Sequence, residues 1–139
     1  MSSIRRARPD DLEEVFELTF GLVTTFRPEI DAFRKSFDHL IAQDDTLLLV
    51  VEESGRLLGY LLGFDHYALT ANGRVAWIEE VMVQKDRRRE GLGRQLMQQF
   101  EEWATSRGSK LVALATRRAS AFYLSLGYEE SAGYFRKLL

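Results

Sequence analysis

The chain predicts an α/β fold: a mixed sheet with helices on both faces. Three observations carry the prediction. Apolar runs of strand length alternate with segments whose apolar residues recur at helical spacing, giving the order β-α-α-β-β-β-α-β-α-β. One strand, residues 75–83, empties directly into a basic, glycine-punctuated loop that becomes a helix. Finally, 139 residues, 45% hydrophobic and 29% charged, fit one core and leave no room for a second, so residues 1–139 form a single domain.

Each element has its own signature. Residues 4–7 read as a short strand, after which Pro9-Asp10-Asp11 starts a helix with carboxylates at the positive end of its dipole. Leu12, Val15, Phe16, Leu18 and Thr19 form the apolar stripe of that helix. A second amphipathic helix is expected over 28–42, burying Ile30, Phe33, Phe37, Leu40 and Ile41. Residues 46–52 and 57–67 are strands joined in a hairpin through Gly55. Thr70 to Arg74 is a turn, and 75–83 is the next strand. Leu92, Leu96, Met97, Phe100, Trp103 and Ala104 recur at helical spacing until Gly108 stops the helix. Residues 110–116 read as a buried strand, 119–125 as a short helix, and 127–139 as a turn and final strand.

Composition narrows the function. No run is long and apolar enough to span a membrane, and the N-terminus lacks the pattern of a targeting segment, so a cytoplasmic location is expected. The absence of cysteine excludes disulfides, a thiolate metal site and an acyl-cysteine intermediate. No metal is expected. A formal charge of −2 argues against a broad nucleic-acid face. Positive charge is instead local, at Arg87, Arg88, Arg89 and Arg94, which suits one small polyphosphate.

The loop has the chemistry for that ligand. Gly91 and Gly93 permit a tight turn and close backbone approach, and the free N–H groups of the helix starting near Leu92 attract an anion. A Walker loop would end in Gly-Lys-Ser/Thr, which is missing. A dinucleotide fingerprint would place a small residue three positions after Gly93 and an acid at the end of the following strand, where this chain has Leu96 and Thr116.

Arg88-x-x-Gly91-x-Gly93 after a strand ending in Val81-x-Val83 resembles the acyl-CoA pyrophosphate loop of the GNAT superfamily of N-acetyltransferases. The opening Ile4-Arg5-Arg6-Ala7-Arg8-Pro9-Asp10-Asp11-Leu12 resembles that family's first strand and helix start. Ala119-x-x-Phe122-Tyr123-x-x-Leu126-Gly127-Tyr128 is similar to its C-terminal signature. The resemblance implies a mostly antiparallel sheet splayed between its fourth and fifth strands. It also implies acetyl-CoA as acyl donor, bound through Val81, Met82, Val83, Arg88, Arg89, Glu90, Gly91, Leu92, Gly93 and Arg94, and an amine acetylated by direct attack in a ternary complex. In the family the strand before the loop parts from its neighbour at a bulge, and its backbone groups hold the pantetheine and the thioester oxygen.

Two further roles follow. Glu79 and Glu80 are consecutive in a strand and so are expected on opposite faces, with Glu79 sharing its face with Trp77, Val81 and Val83. Glu79 matches a position where relatives place a carboxylate near the amine, and it is the candidate base, with Glu80 or water as the alternatives. Tyr123 matches the family's general acid, which returns a proton to the departing thiolate. One residue departs from the pattern: Thr116 stands seven positions before Tyr123, where asparagine is common. His39 and His66 carry no partner motif.

The acceptor, a small-molecule or peptide amine, would meet residues 20–41 and 64–74, which carry no motif. The competing readings are an acyl-CoA-binding GNAT-like domain without turnover and a basic-loop nucleic-acid module, which would bind with strong salt dependence. No nucleic-acid or membrane partner is expected, and a homodimer is allowed.

Overall fold

The computed structural model describes residues 1–22 and 25–139. Strand β1 (Ser3–Arg6) leads into a 3-10 turn (Pro9–Asp11), where the Asp11 carboxylate accepts the Arg8 N–H at 2.7 Å and clamps the Arg5 guanidinium at 2.7 and 3.0 Å. Helix α1 (Leu12–Thr19) follows and buries Leu12, Val15, Leu18 and Thr19. Helix α2 (Ile30–Ala42) begins two residues later than expected, because Glu29 remains extended after Pro28. Only Phe37 of its stripe is fully buried.

Strands β2 (Thr46–Glu53) and β3 (Arg56–Ala68) form the expected hairpin. Ser54 and Gly55 both have positive φ, +53° and +77°, as a two-residue I′ turn requires. Strand β4 (Gly73–Val83) pairs antiparallel with β3, helix α3 (Leu92–Ser106) crosses over, and β5 (Ser109–Leu114) lies parallel to β4. Helix α4 (Ser120–Ser125) closes the ordered elements. Strand order follows the chain, β1-β2-β3-β4-β5, with every pairing antiparallel except the last.

Two apolar layers hold this sheet. Leu49, Val51, Leu61, Ile78, Leu96, Met97 and Phe100 pack between one face and α3. Leu12, Val15, Leu18, Phe37, Val50, Tyr60 and Met82 pack between the other face and α1 and α2. Gly63 lets α3 lie close: a Cβ there would fall onto the Phe100 ring and within 2.9 Å of the Trp77 carbonyl oxygen.

Two expectations need correction. Residues 110–116 are not a buried strand, because β5 ends at Leu114, is the sheet edge, and leaves Leu111 52% exposed. Nor do residues 127–139 form a final strand. Gly127 turns with φ +94°, and the segment beyond it is neither helix nor strand, with Phe135 93% exposed. Its apolar residues come in adjacent pairs, Tyr134-Phe135 and Leu138-Leu139, so an extended chain would bury only half of each pair. Among the described residues no helix is long and apolar enough to cross a membrane, and no cluster of three or more acids or histidines could hold a metal.

Candidate active site

The loop after β4 is built around an anion-attracting helix start. Gln84 continues the β3 pairing, its N–H donating to Leu58 O at 2.8 Å, and a 3-10 turn (Lys85–Arg87) then reverses the chain. Gly91 is the residue before α3 and is left-handed, φ +84° and ψ 6°. Gly93 is not left-handed, and its missing Cβ makes room for Phe122, whose Cζ would lie 3.3 Å away. The α3 N-terminus carries no acid in its first turn, so its free N–H groups meet no intrahelical competitor for an anion. Leu92 is core, 4% exposed, and only its backbone can face a ligand.

The arginines divide by role. Arg87 is tied to Glu53 at 2.7 Å and to Glu90 at 2.9 Å, which fixes the loop and takes up the Glu90 carboxylate. Arg88 folds back, donating from Nε to Val83 O at 3.1 Å. Arg89, with φ +66°, and Arg94 are exposed and make no ion pair among the described residues. Their side chains make no hydrogen bond among the described residues, unlike those of Arg87 and Arg88.

Beside this loop β4 loses a neighbour. Pairing with β5 ends at Ile78↔Leu114, whereas pairing with β3 continues to Gly59↔Val83. Since Gln84 faces β3 with its N–H, alternation turns the N–H groups of Val81 and Val83 toward the edge that β5 has left. A ligand in that gap would meet backbone donors with no strand partner.

The carboxylates sit differently from the sequence expectation. Leu62 pairs with Glu80 but Gly63 pairs with Ile78, so Glu79 is the extra residue of a β-bulge. The bulge breaks the alternation. Ala76, Ile78, Val81 and Val83 all join the α3 layer, while Glu80 turns to the α1/α2 face beside Tyr60. Glu79 therefore does not share a face with Val81 and Val83. It is exposed, and its Oε2 accepts the Trp77 Nε1–H at 2.8 Å. Glu80 is the part-buried carboxylate, accepting the Tyr60 hydroxyl at 2.7 Å on Oε1. Burial lifts its pKa above the usual glutamate value and Glu79 repulsion adds to this, against the Tyr60 hydrogen bond.

Tyr123 lies on α4, packed on the α3 layer with its ring edge-on to Phe122 (5.0 Å between centroids) and Tyr128 (6.0 Å). Burial raises its pKa, so the phenol keeps its proton. Its hydroxyl makes no hydrogen bond among the described residues and is not sealed from solvent. Thr116 Oγ1 accepts the Ala119 N–H at 3.1 Å, which ties down the chain entering α4.

A family model described as the acetyltransferase (GNAT) family matches residues 10–128. The chain belongs to the GNAT acetyltransferases, a family of acetyl-CoA-dependent acyltransferases. It is 30% identical over 137 residues to an uncharacterised N-acetyltransferase of Methanocaldococcus jannaschii, covering 92% of this chain and 61% of that protein. It is 32% identical over 135 residues to glucosamine 6-phosphate N-acetyltransferase 1 of Oryza sativa subsp. japonica, covering 90% of this chain and 81% of that one. An aminoglycoside N-acetyltransferase solved in complex with CoA shares the fold, with a TM-score of 0.85 and 20% identity over 99% of this chain and 95% of that one.

Two features of this candidate site are not legible in the sequence. Tyr60 lies in an apolar strand, and its hydroxyl amid Leu57, Leu58, Leu61 and Leu62 is a signal of a buried partner. A cleft of about 410 Å³ also opens on the α1/α2 face, between Glu14, Glu17, Leu18 and Gly21 on one side and Met82, Gln84 and Lys85 on the other. The residues expected to meet the acceptor extend over 20–41 and 64–74; Val23 and Thr24 among them lie outside the described residues.

Proposed function

We propose that this GNAT acetyltransferase transfers the acetyl group of acetyl-CoA to a small primary amine by direct attack in a ternary complex. The observation that carries the reading is the α3 N-terminus opening beside the edge of β4 that β5 leaves unpaired. One end of that gap suits a pyrophosphate, and the other offers N–H groups to a thioester oxygen. The residues at the loop fit the donor: a Cβ at Gly91 would meet nothing within 4 Å, so the backbone faces open space, and Arg89 and Arg94 are free to pair with phosphate oxygens.

Acetyl-CoA supplies the activated acyl group. The backbone of Arg88 to Arg94 and the Arg89 and Arg94 side chains hold the pyrophosphate, while Glu90 stays with Arg87 and supports the loop. Val81 and Val83 N–H groups hold the pantetheine and the carbonyl oxygen, with Met82 beneath them on the opposite face. The amine enters from the α1/α2 face, where the cleft and both carboxylates lie. Of the two, Glu80 is the better base. Its raised pKa brings it closer to neutrality, and its Oε2 accepts no hydrogen bond among the described residues and is not sealed. Glu79, exposed next to it, attracts the ammonium and is the second candidate. The carboxylate takes a proton from the ammonium, and the free amine attacks the thioester carbonyl carbon, forming the N–C bond as the carbonyl oxygen takes up negative charge. As the C–S bond breaks, Tyr123 gives its proton to the thiolate.

The acceptor reading draws on the rice relative, whose name gives a phosphorylated amino sugar, and on a cleft whose carboxylates and Lys85 could meet an ammonium and an acid on one small molecule. The test is thiol release from acetyl-CoA over a panel holding amino sugar phosphates, polyamines, amino acids and lysine peptides, with the acetylated product identified by mass. Amine-dependent release with a small amine is expected. Acetyl-CoA binding without release for any amine would replace this reading with the acyl-CoA-binding one.

A further inference from the structure

We propose that Tyr60 is a positioning residue for the reaction: its hydroxyl aims the Glu80 carboxylate, holding Oε1 and leaving Oε2 for the amine. The inference rests on the reading of Glu80 as base.

Four observations support it. Tyr60 is 1% exposed and sits in the apolar layer under α1 and α2, where a phenylalanine would fill the same space without a hydroxyl. Burying that hydroxyl and a carboxylate together is costly relative to an apolar pair, so packing alone gives no reason for them. The 2.7 Å hydrogen bond is one-sided: Oε1 is held, whereas Oε2 accepts nothing among the described residues and is not sealed. Finally, the bulge at Glu79 is what brings Glu80 onto the Tyr60 face at all, and Tyr60↔Met82 and Leu62↔Glu80 are consecutive same-face pairs flanking the contact.

The groups facing Glu80 are few. On β4 Glu79 is the neighbouring charge. On β3 it is Tyr60, which burial and then Glu80 keep protonated. From α1, Glu14 is engaged by the Leu57 N–H at 2.9 Å and Glu17 lines the cleft. From α2 the packed residues are apolar, Phe33, Phe37 and Ile41. Tyr60 is thus the neighbour whose hydrogen bond favours the ionised carboxylate, against burial and Glu79.

The test is Tyr60→Phe, read in two ways. Carboxyl-carbon NMR, with the Glu80 signal assigned by its loss in Glu80→Gln, follows the titration without needing turnover; the midpoint is expected to move up. The pH profile of kcat/KM for the amine is expected to move its acid limb upward in step, with the KM for acetyl-CoA unchanged. At a fixed pH on that limb the rate falls about ten-fold for every pH unit the limb travels. Should Tyr60→Phe not fold, site-specific fluorotyrosine at position 60, a stronger donor, is expected to move both midpoints down. An unmoved midpoint and limb would overturn the proposal and leave Tyr60 a packing residue. If wild type acetylates no amine, the enzyme reading fails while the NMR titration still judges the Tyr60–Glu80 coupling. If Glu80→Gln keeps the wild-type rate and pH profile, Glu80 is not the base and the positioning role falls with it.

Discussion

Gly91→Ala separates conformational from ligand-contact roles in the phosphate loop. At φ +84° an L-residue is strained by roughly 1–2 kcal/mol. No heavy atom lies within 4 Å of the Cβ that alanine would add, so strain is the whole cost in the free protein. For a domain of this size that lowers Tm by roughly 3–8 °C. Gly91→Asn, which tolerates the left-handed region, should lose less. The open space that spares the free protein is where a pyrophosphate would lie, so acetyl-CoA should bind roughly 10- to 100-fold more weakly to Gly91→Ala, about 1.4–2.8 kcal/mol. Gly93→Ala makes the contrast. Its backbone is ordinary, and its methyl would press on Phe122 Cζ at 3.3 Å and touch Val83 Cγ2 at 3.9 Å, so a loss there comes through side-chain packing rather than backbone strain. Thermal denaturation and titration calorimetry with acetyl-CoA measure both effects. If Gly91→Ala melts lower yet binds acetyl-CoA like wild type, the loop is not where the pyrophosphate sits.

Glu80→Gln should cut turnover at neutral pH by roughly 10²- to 10⁴-fold, and Glu79→Gln by much less, in steady-state assays. The same Glu80 variant should be no less stable at neutral pH. Glu80 has a raised folded pKa, so its cost to stability is absent below the ordinary value of 4.5, grows as pH rises toward the folded value and is full above it; melting curves across that window should show the fall only in wild type. Tyr123→Phe should keep the fold and acetyl-CoA affinity while slowing turnover by roughly 10²- to 10⁴-fold, as removal of a general acid does; a normal rate would make Tyr123 a packing residue. Asp65→Asn should cost about 3–5 kcal/mol in urea unfolding, because Arg74 and Arg107 lose the fully buried carboxylate that both bind. Burial would raise the Asp65 pKa, but the two arginines outweigh it and lower it, so this stability is present above the ordinary 3.8 and is lost as pH falls through the folded value.

The parts legible in the sequence were those with a strong local code. The α3 stripe from Leu92 to Ala104 has one period and one buried face, and the Gly91 turn needs a residue that tolerates positive φ. The β2–β3 hairpin was legible for the same reason. The bulge was harder to read, because one extra residue leaves no mark in composition. Its trace is a change of parity among the buried residues, Ala76 and Ile78 before it and Val81 and Val83 after it, and apolar Val75, Trp77 and Met82 at the alternate positions hide that switch in the sequence. Reading strict alternation through it puts Glu79 on the wrong face. The expected last strand fails for the opposite reason, since 134–139 has strand-forming residues but no single apolar face and no covering helix.

Two features near the end of β4 fall at one place, on opposite edges. Toward β3 the extra residue is Glu79; toward β5 the last pair is Ile78↔Leu114. A bulge increases the local twist of its strand. The residue that turns Glu80 toward the α1/α2 face thus sits beside the last β5 pair, beyond which the Val81 and Val83 N–H groups have no strand partner. Under the proposed reaction these are the two halves of the site, a carboxylate for the amine and donors for the thioester, and one inserted residue places them on opposite sides of the same strand. The acyl donor can then lie between the strands on the α3 side while the amine approaches from the α1/α2 side, so neither substrate has to pass the other to reach the bond being made.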